Sequence, residues 1–292
     1  MGDDAFESRF FDKIVGLPTK YKDKLPNWIE HSNEIIRSIG GKKIEGLELE
    51  KSPRDLEILN FVENAATKIQ RKYGRTKDIK IPLNNIHILE VGGVEKYTQG
   101  NLKIGGHAPR SRSIAVDRDP SDIQFALVSF HETTHLKSYS ALQIMPRDSK
   151  SGREGGLIPY RSGVSIRARD GKMAYFKDVE EAVTCLLEQE FFNDHIKHSN
   201  LFQDELLQRE RENSPVAFSR PQEVAGTNKF IAELAEKNPE GLGHDQLQRL
   251  LIESHVSGDI RRMGRLIDRT FGIGTSRVLG AKSGMKEPDT LE

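Results

Sequence analysis

The sequence predicts an α+β fold, and three features predict it. Segments with apolar residues three and four apart mark helices on both sides of residues 79–116, where the apolar spacing shortens toward alternation. Glycine pairs punctuate that central stretch, as they do between short strands. Directly after it stands Phe130-His131-Glu132-Thr133-Thr134-His135, an H-E-x-x-H motif inside the apolar run from Ile123 to Leu136.

Residues 1–78 form an expected helical N-terminal region. Trp28, Ile29, Ile35, Ile36 and Ile39 have helical spacing, and Gly40-Gly41 closes that segment. Pro53 to Tyr73 is a clearer helix, with Leu56, Leu59, Phe61, Val62, Ala65, Ala66 and Ile69 on its apolar side and Gly74 after the last turn. These residues carry packing and no chemistry.

Residues 79–200 are the expected core. Ile79–Ile81, Ile86–Val91, Leu102–Ile104 and Ile114–Val116 read as strands of a small, mostly antiparallel sheet. His107 falls in a loop of that sheet and is a candidate for substrate contact. Asp119-Pro120-Ser121-Asp122 then starts a helix, with Asp119 as N-cap and Pro120 at the first helical position. Residues 145–159, rich in Gly, Ser, Arg and Lys, read as a flexible loop positioned to act as a lid. Tyr160 to Phe176 reads as a hairpin turning at Asp170-Gly171, with Arg161, Arg167, Arg169 and Lys172 making a solvated basic edge. A further helix runs from Val179 to Phe192. Residues 201–292 read as a helical C-terminal region, ending in a short helix, Ile260 to Phe271, that carries Arg261, Arg262, Arg265 and Arg269 in one stripe.

Composition narrows the function classes. The 292 residues include 44 basic and 44 acidic side chains, so no net charge draws the chain toward nucleic acid or membrane. The arginine stripe reads as a solvated or salt-bridged face, which makes a nucleic-acid partner unlikely on sequence grounds. The single cysteine, Cys185, excludes an internal disulfide framework. Met1-Gly2-Asp3-Asp4 lacks the pattern of a secretion signal, and Phe6 stands where myristoylation needs Ser or Thr. No apolar run approaches spanning length. The expected location is cytoplasmic.

The motif carries the chemistry. Residues four apart share one helix face, so His131 and His135 can offer two imidazole nitrogens to one ion. Glu132 sits round the helix, within reach of a metal-bound water as a general base. The helix is apolar on most sides, hence buried, and a buried histidine pair without a partner would be costly. A catalytic zinc site needs a third protein ligand. No histidine follows His135 at short range, and the next strong helix offers Glu180, Glu181, Glu188 and Cys185. Glu180 and Glu181 lie about a hundred degrees apart on that helix, so both cannot face one ion. Glu188 suits a role behind a ligand, and Cys185 is an available thiolate or a small buried residue.

H-E-x-x-H followed by a helix beginning Glu180-Glu181-Ala182-Val183-Thr184 resembles the gluzincins, the thermolysin-like branch of the zincin metallopeptidases. The resemblance covers roughly residues 79–200. It implies a zincin-like core, a Zn2+ ion held by His131, His135 and Glu181, and hydrolysis of amide bonds in a peptide or protein substrate with Glu132 as base. It also implies a Tyr or His that stabilises the oxyanion, for which Tyr160, Tyr175 and His107 are available. An edge strand that pairs with extended peptide is implied too, expected at Ile114–Val116. Two departures stand out: Cys185 occupies the place of a family aspartate, and the stretch from His135 to Glu181 is long. A zincin-like fold kept as a non-catalytic interaction module is the alternative reading.

Overall fold

The computed structural model describes residues 13–15, 46–77, 79–98, 100, 103, 105–108, 113–145, 156–168 and 173–282. The segment around Trp28 and Ile39, the expected lid at 146–155 and the Asp170-Gly171 turn lie outside the described residues. The protein is α+β. The strands are β1 (Lys13–Val15), β2 (Ile86–Leu89), β3 (Gly105–Ala108), β4 (Ser113–Asp117), β5 (Ser140–Met145), β6 (Gly156–Ser162), β7 (Ser165–Arg167) and β8 (Ala174–Tyr175). The helices are α1 (Pro53–Lys72), α2 (Gly93–Thr98), α3 (Asp122–Lys137), α4 (Lys177–Asp194), α5 (Gln203–Glu212), α6 (Pro221–Lys237), α7 (His244–Ser257), α8 (Arg261–Phe271) and α9 (Thr275–Lys282). Among the described residues, no helix is long and apolar enough to cross a membrane.

Helix α1 starts where its chemistry says it should. Pro53 takes the first position, Ser52 Oγ accepts from the Asp55 amide at 3.1 Å, and Asp55 accepts from the Ser52 amide at 2.9 Å. Its buried face, including Ile58, Val62, Ala66 and Ile69, packs on α3.

Helix α3 is the buried centre of the molecule. Ile123, Phe125, Leu127 and Phe130 are wholly buried, and each such side chain stabilises the fold by about 1.5–3 kcal/mol. Its N-cap is Ser121 and not Asp119. Ser121 Oγ accepts from the Gln124 amide at 2.9 Å, while Asp119 accepts from the Ser121 amide at 2.8 Å and leaves Pro120 outside the helix. Both ends of α3 are tied to α1. At the start, Arg118 donates to Asp55 and to Asp122, each at 2.6 Å, and Arg54 donates to Asp122 at 2.8 Å. At the far end, the buried Lys137 ammonium donates to Glu63 at 2.6 Å and Thr67 at 2.7 Å. Phe130 stacks on Phe191 of α4, with ring centroids 4.2 Å apart and planes within 6°. The helix therefore has little freedom to rotate or slide.

The sheets differ from expectation. Among the described residues there are two, and the smaller is mixed: its order is β2-β4-β3, with β2 parallel and β3 antiparallel to β4. β4, which contains Ile114–Val116, is thus the central strand. Its hydrogen-bonding edges are taken on both sides, and residues 47–49 bond to the outer edge of β2, so among the described residues the unpaired edge is that of β3. Ile79 and Ile81 are buried but form no strand. The larger sheet has the order β1-β5-β6-β7-β8. β7 and β8 are the paired arms of the expected hairpin. β5 and most of β6 were not expected as strands. Within the expected loop, Met145 pairs with Gly156, and residues 157–159 pair with Ile144, Gln143 and Leu142 of β5.

The C-terminal region is helical as far as Lys282. One apolar cluster runs from Ile58 through α3 and α4 to Ile267, so the three regions share a core. The arginine stripe on α8 is partly neutralised: Arg261 pairs with Asp259 at 2.9 Å and Arg269 pairs with Glu240.

Candidate metal centre

Helical periodicity puts His131 and His135 on one face of α3, and the stacked aromatics hold that face against α4. The two Nε2 atoms are 3.2 Å apart. Glu181 Oε2, from the first turns of α4, lies 3.4 Å from His131 Nε2 and 3.6 Å from His135 Nε2. These three donor atoms are those of one candidate metal-holding group. Donors at zinc-ligand distances in a tetrahedral array sit about 3.3 Å from one another. The three observed separations bracket that value, so the residues fit the ion.

The far side of each ring is braced. His131 Nδ1 is 3.2 Å from Glu188 Oε2, and His135 Nδ1 is 3.4 Å from Glu180 Oε1. A carboxylate behind each imidazole fixes its orientation and leaves Nε2 directed at the cluster. Glu188 accepts from Ser219 Oγ at 2.6 Å. Glu180 accepts from the Val164 amide at 2.8 Å and faces His255 Nδ1 at 3.0 Å. Both carboxylates are buried, as are His255, Thr184 and Cys185. Glu180 and Glu181 do point apart, as their helical spacing requires, and they serve opposite nitrogens of His135.

The electrostatics follow. Burial favours a neutral His131, but contacts with Cys185, Glu181 and Glu188 outweigh it and hold the ring well above its ordinary pKa. Burial opposes charge on His135 as well, yet Glu181 and Glu180 push it up to about 10. Burial would raise the Glu180 carboxyl, but His255 and His135 bring it down to about 2. Glu181 is likewise held well below the carboxylate range against its burial, by His135 and His131. The cluster is an anionic pocket that demands positive charge.

His131 Nδ1, Cys185 Sγ and Glu188 form a second candidate group. Its sulfur is 4.0 Å from the ring nitrogen, and Ser219 Oγ stands among the three, 3.3 Å from Sγ and 3.2 Å from Nδ1. Glu132 is buried, and its charge acts on His131. Strand β3 comes close to it. A Cβ on Gly105 would lie 2.7 Å from Val128 and 3.1 Å from Glu132 Oε1, so only glycine permits this approach.

His107 lies within β3, opposite Ile114, and not in a loop; its side chain is outside the described residues. Tyr160 stands on β6 and Tyr175 on β8. Four contributors were invisible to sequence reasoning: Ser219, His255, Gly163 and Arg220. Gly163 has φ +53° and lies against Glu180 and His255. Arg220 caps α6 with φ 50°, is half-exposed, and brings Nε within 3.9 Å of Glu181 Oε2. The Arg220-Pro221 step does signal a helix start, but nothing local signals its neighbour.

The chain matches no protein-family model, no curated protein and no solved structure.

Proposed function

We propose that this chain is a zinc-dependent, gluzincin-like metallopeptidase that hydrolyses amide bonds of peptides or proteins. The observation that carries the reading is the convergence of His131 Nε2, His135 Nε2 and Glu181 Oε2 at 3.2–3.6 Å, with Glu132 one residue from the first ligand. Two imidazole nitrogens and one carboxylate are a donor set that suits Zn2+ and keeps a position open for catalysis. Bound there, zinc acidifies water and polarises a carbonyl oxygen.

The chain's own residues do the rest. Glu180 and Glu188 hold both imidazoles in the orientation that directs Nε2 at the cluster. The Glu132 carboxylate accepts a proton from the attacking water and returns it to the leaving amine. The outer edge of β3, unpaired among the described residues and pressed against Glu132 through Gly105, is the strand available to pair with an extended peptide. α3 and α4 are locked together, so the proton acceptor and the ligands keep a set geometry.

The test is elemental analysis of the purified full chain together with turnover of a peptide library. The expected result is about one zinc per chain in the parent and in Glu132→Gln, and loss of zinc in Glu181→Gln. Glu132→Gln should lower turnover by about 10²–10⁴. A chain that takes up no zinc after reconstitution refutes the reading. Zinc-loaded protein with no turnover on any peptide supports a non-catalytic interaction module instead.

A further inference from the structure

A cavity of about 590 Å³ lies among the N-terminal turns of α4 and α6 and helices α7, α8 and α9. That volume falls within the range of sites that take whole small ligands, about 300–1,000 Å³. Its walls are apolar, from Val179, Phe230, Ile231, Leu251, Met263 and Ile267. Its charged lining is all acidic, Asp178 and Glu223. Asp178 has no ion-pair partner among the described residues, and Glu223 meets only Arg220, at 3.9 Å. Burial and the neighbouring Glu223 raise the Asp178 carboxyl, against the opposing pull of Lys177 and Arg220.

The cavity and the candidate metal centre draw on neighbouring positions of the same two helices. On α4, Asp178 and Val179 line it, and the next two residues, Glu180 and Glu181, serve the histidines. On α6, Glu223 lines it while Arg220, one turn earlier, reaches Glu181. Asp178 and Glu181 are three residues apart and share a helix face. Two helix starts therefore build both sites.

We propose that this cavity receives a segment of the peptide substrate that carries two or more bulky apolar side chains next to a lysine or arginine. This inference rests on the peptidase reading. The apolar chains fill the space among α6, α7 and α8, and the basic residue meets Asp178 and Glu223. The helix starts shared with the donor cluster, the two acidic residues and a volume beyond that of one side chain favour this occupant.

Gly226, on α6, provides the test. It lines the cavity, and a Cβ there meets nothing within 4 Å, so Gly226→Leu intrudes into the space without a clash. Replacing a helical glycine also favours folding by up to about 1 kcal/mol. Binding is measured by fluorescence anisotropy on the full chain with zinc, in a Glu132→Gln background so that no peptide is consumed. Three labelled peptides are used: one with a Leu-Phe pair beside Lys, one with Asp for Lys, and one with Ala for the pair.

The first peptide should bind about tenfold tighter than either control, and Gly226→Leu should remove that advantage with zinc content unchanged. Asp178→Asn with Glu223→Gln should equalise the Lys and Asp peptides and leave the apolar preference. Equal binding of all three peptides, or no response to Gly226→Leu, overturns the proposal. If the parent cleaves peptides yet affinity ignores Gly226→Leu, the peptidase reading stands and this one falls. If binding follows the pattern but zinc-loaded parent cleaves nothing, the cavity assignment stands and the enzyme reading falls.

Discussion

Gly163→Ala should damage the metal centre from outside it. An added Cβ would lie 2.3 and 2.5 Å from the two Glu180 carboxylate oxygens and 2.5 Å from His255 Nδ1. Ordinary contact needs about 3.5 Å, so both groups must retreat by about 1 Å. Neither has room, since both are buried and Glu180 is held by the Val164 amide at 2.8 Å. Pulling that carboxylate away leaves a buried polar group unsatisfied at about 1–3 kcal/mol, and alanine at φ +53° adds about 1 kcal/mol. A loss of roughly 3 kcal/mol should lower the melting temperature of zinc-free protein by roughly 5 °C. The displaced Glu180 no longer braces His135 Nδ1, so zinc affinity should fall about 10–100-fold. The assay is thermal unfolding of the apo protein and competitive zinc titration, with Glu180→Gln alongside. That variant has no steric overlap and should show the affinity loss with a smaller stability loss. A Gly163→Ala protein that melts with the parent, or that binds zinc as the parent does, refutes this reasoning.

Other outcomes follow from the same geometry. The cobalt-substituted chain should show no thiolate-to-metal charge-transfer absorption, and Cys185→Ala should keep its metal; a band that disappears in Cys185→Ala would move the centre to His131, Cys185 and Glu188. Lys137→Met should lower stability to urea by about 3 kcal/mol, because Glu63 loses its buried counterion, and adding Glu63→Leu should recover most of it. Full stability in the single variant would count against that ion pair. The hub joining α1 to α3 predicts a pH dependence. Burial would raise the Asp55 and Asp122 carboxyls, but Ser52 and Arg118 lower the first, and Arg54 and Arg118 the second. Folded pKa values below the unfolded ones mean stabilisation that is present above about pH 4 and lost as pH falls through the lowered values. Arg118→Gln should therefore lose stability at pH 6 and show a shallower decline in acid, measured by urea unfolding across pH 2–6. Parallel pH profiles for parent and variant would exclude the hub as the cause.

Local patterns carried the parts of this molecule that depend on local chemistry. Ser52-Pro53 and the three-and-four spacing determined α1. The apolar run around His131 determined that α3 is buried, and four-residue periodicity determined that His131 and His135 share a face. The same angular argument separated Glu180 from Glu181. The start of α3 lies two residues beyond the expected one because Asp119, Pro120 and Ser121 are all good starters, and only the contacts made by Ser121 choose among them. β5 was missed because Ser140 to Met145 has no clear alternation and becomes a strand through its partners, β1 and β6.

The remainder depended on residues far apart in the chain. That β4 is central, and not an edge, follows from which strands pair beside it, and no single strand encodes its neighbours. The partners of Glu180 and Glu188 come from positions 164, 219 and 255, brought in by the packing of α6 and α7 on α4. Arg220 meets Glu181, and an apolar cavity opens beside them, only because two helix starts converge. Sequence alone determined the chemistry that the two α3 histidines can perform, since one helical turn is a local structure. Tertiary packing decided which carboxylate faces each imidazole nitrogen, because those distances are set by helices that touch only after the core has formed.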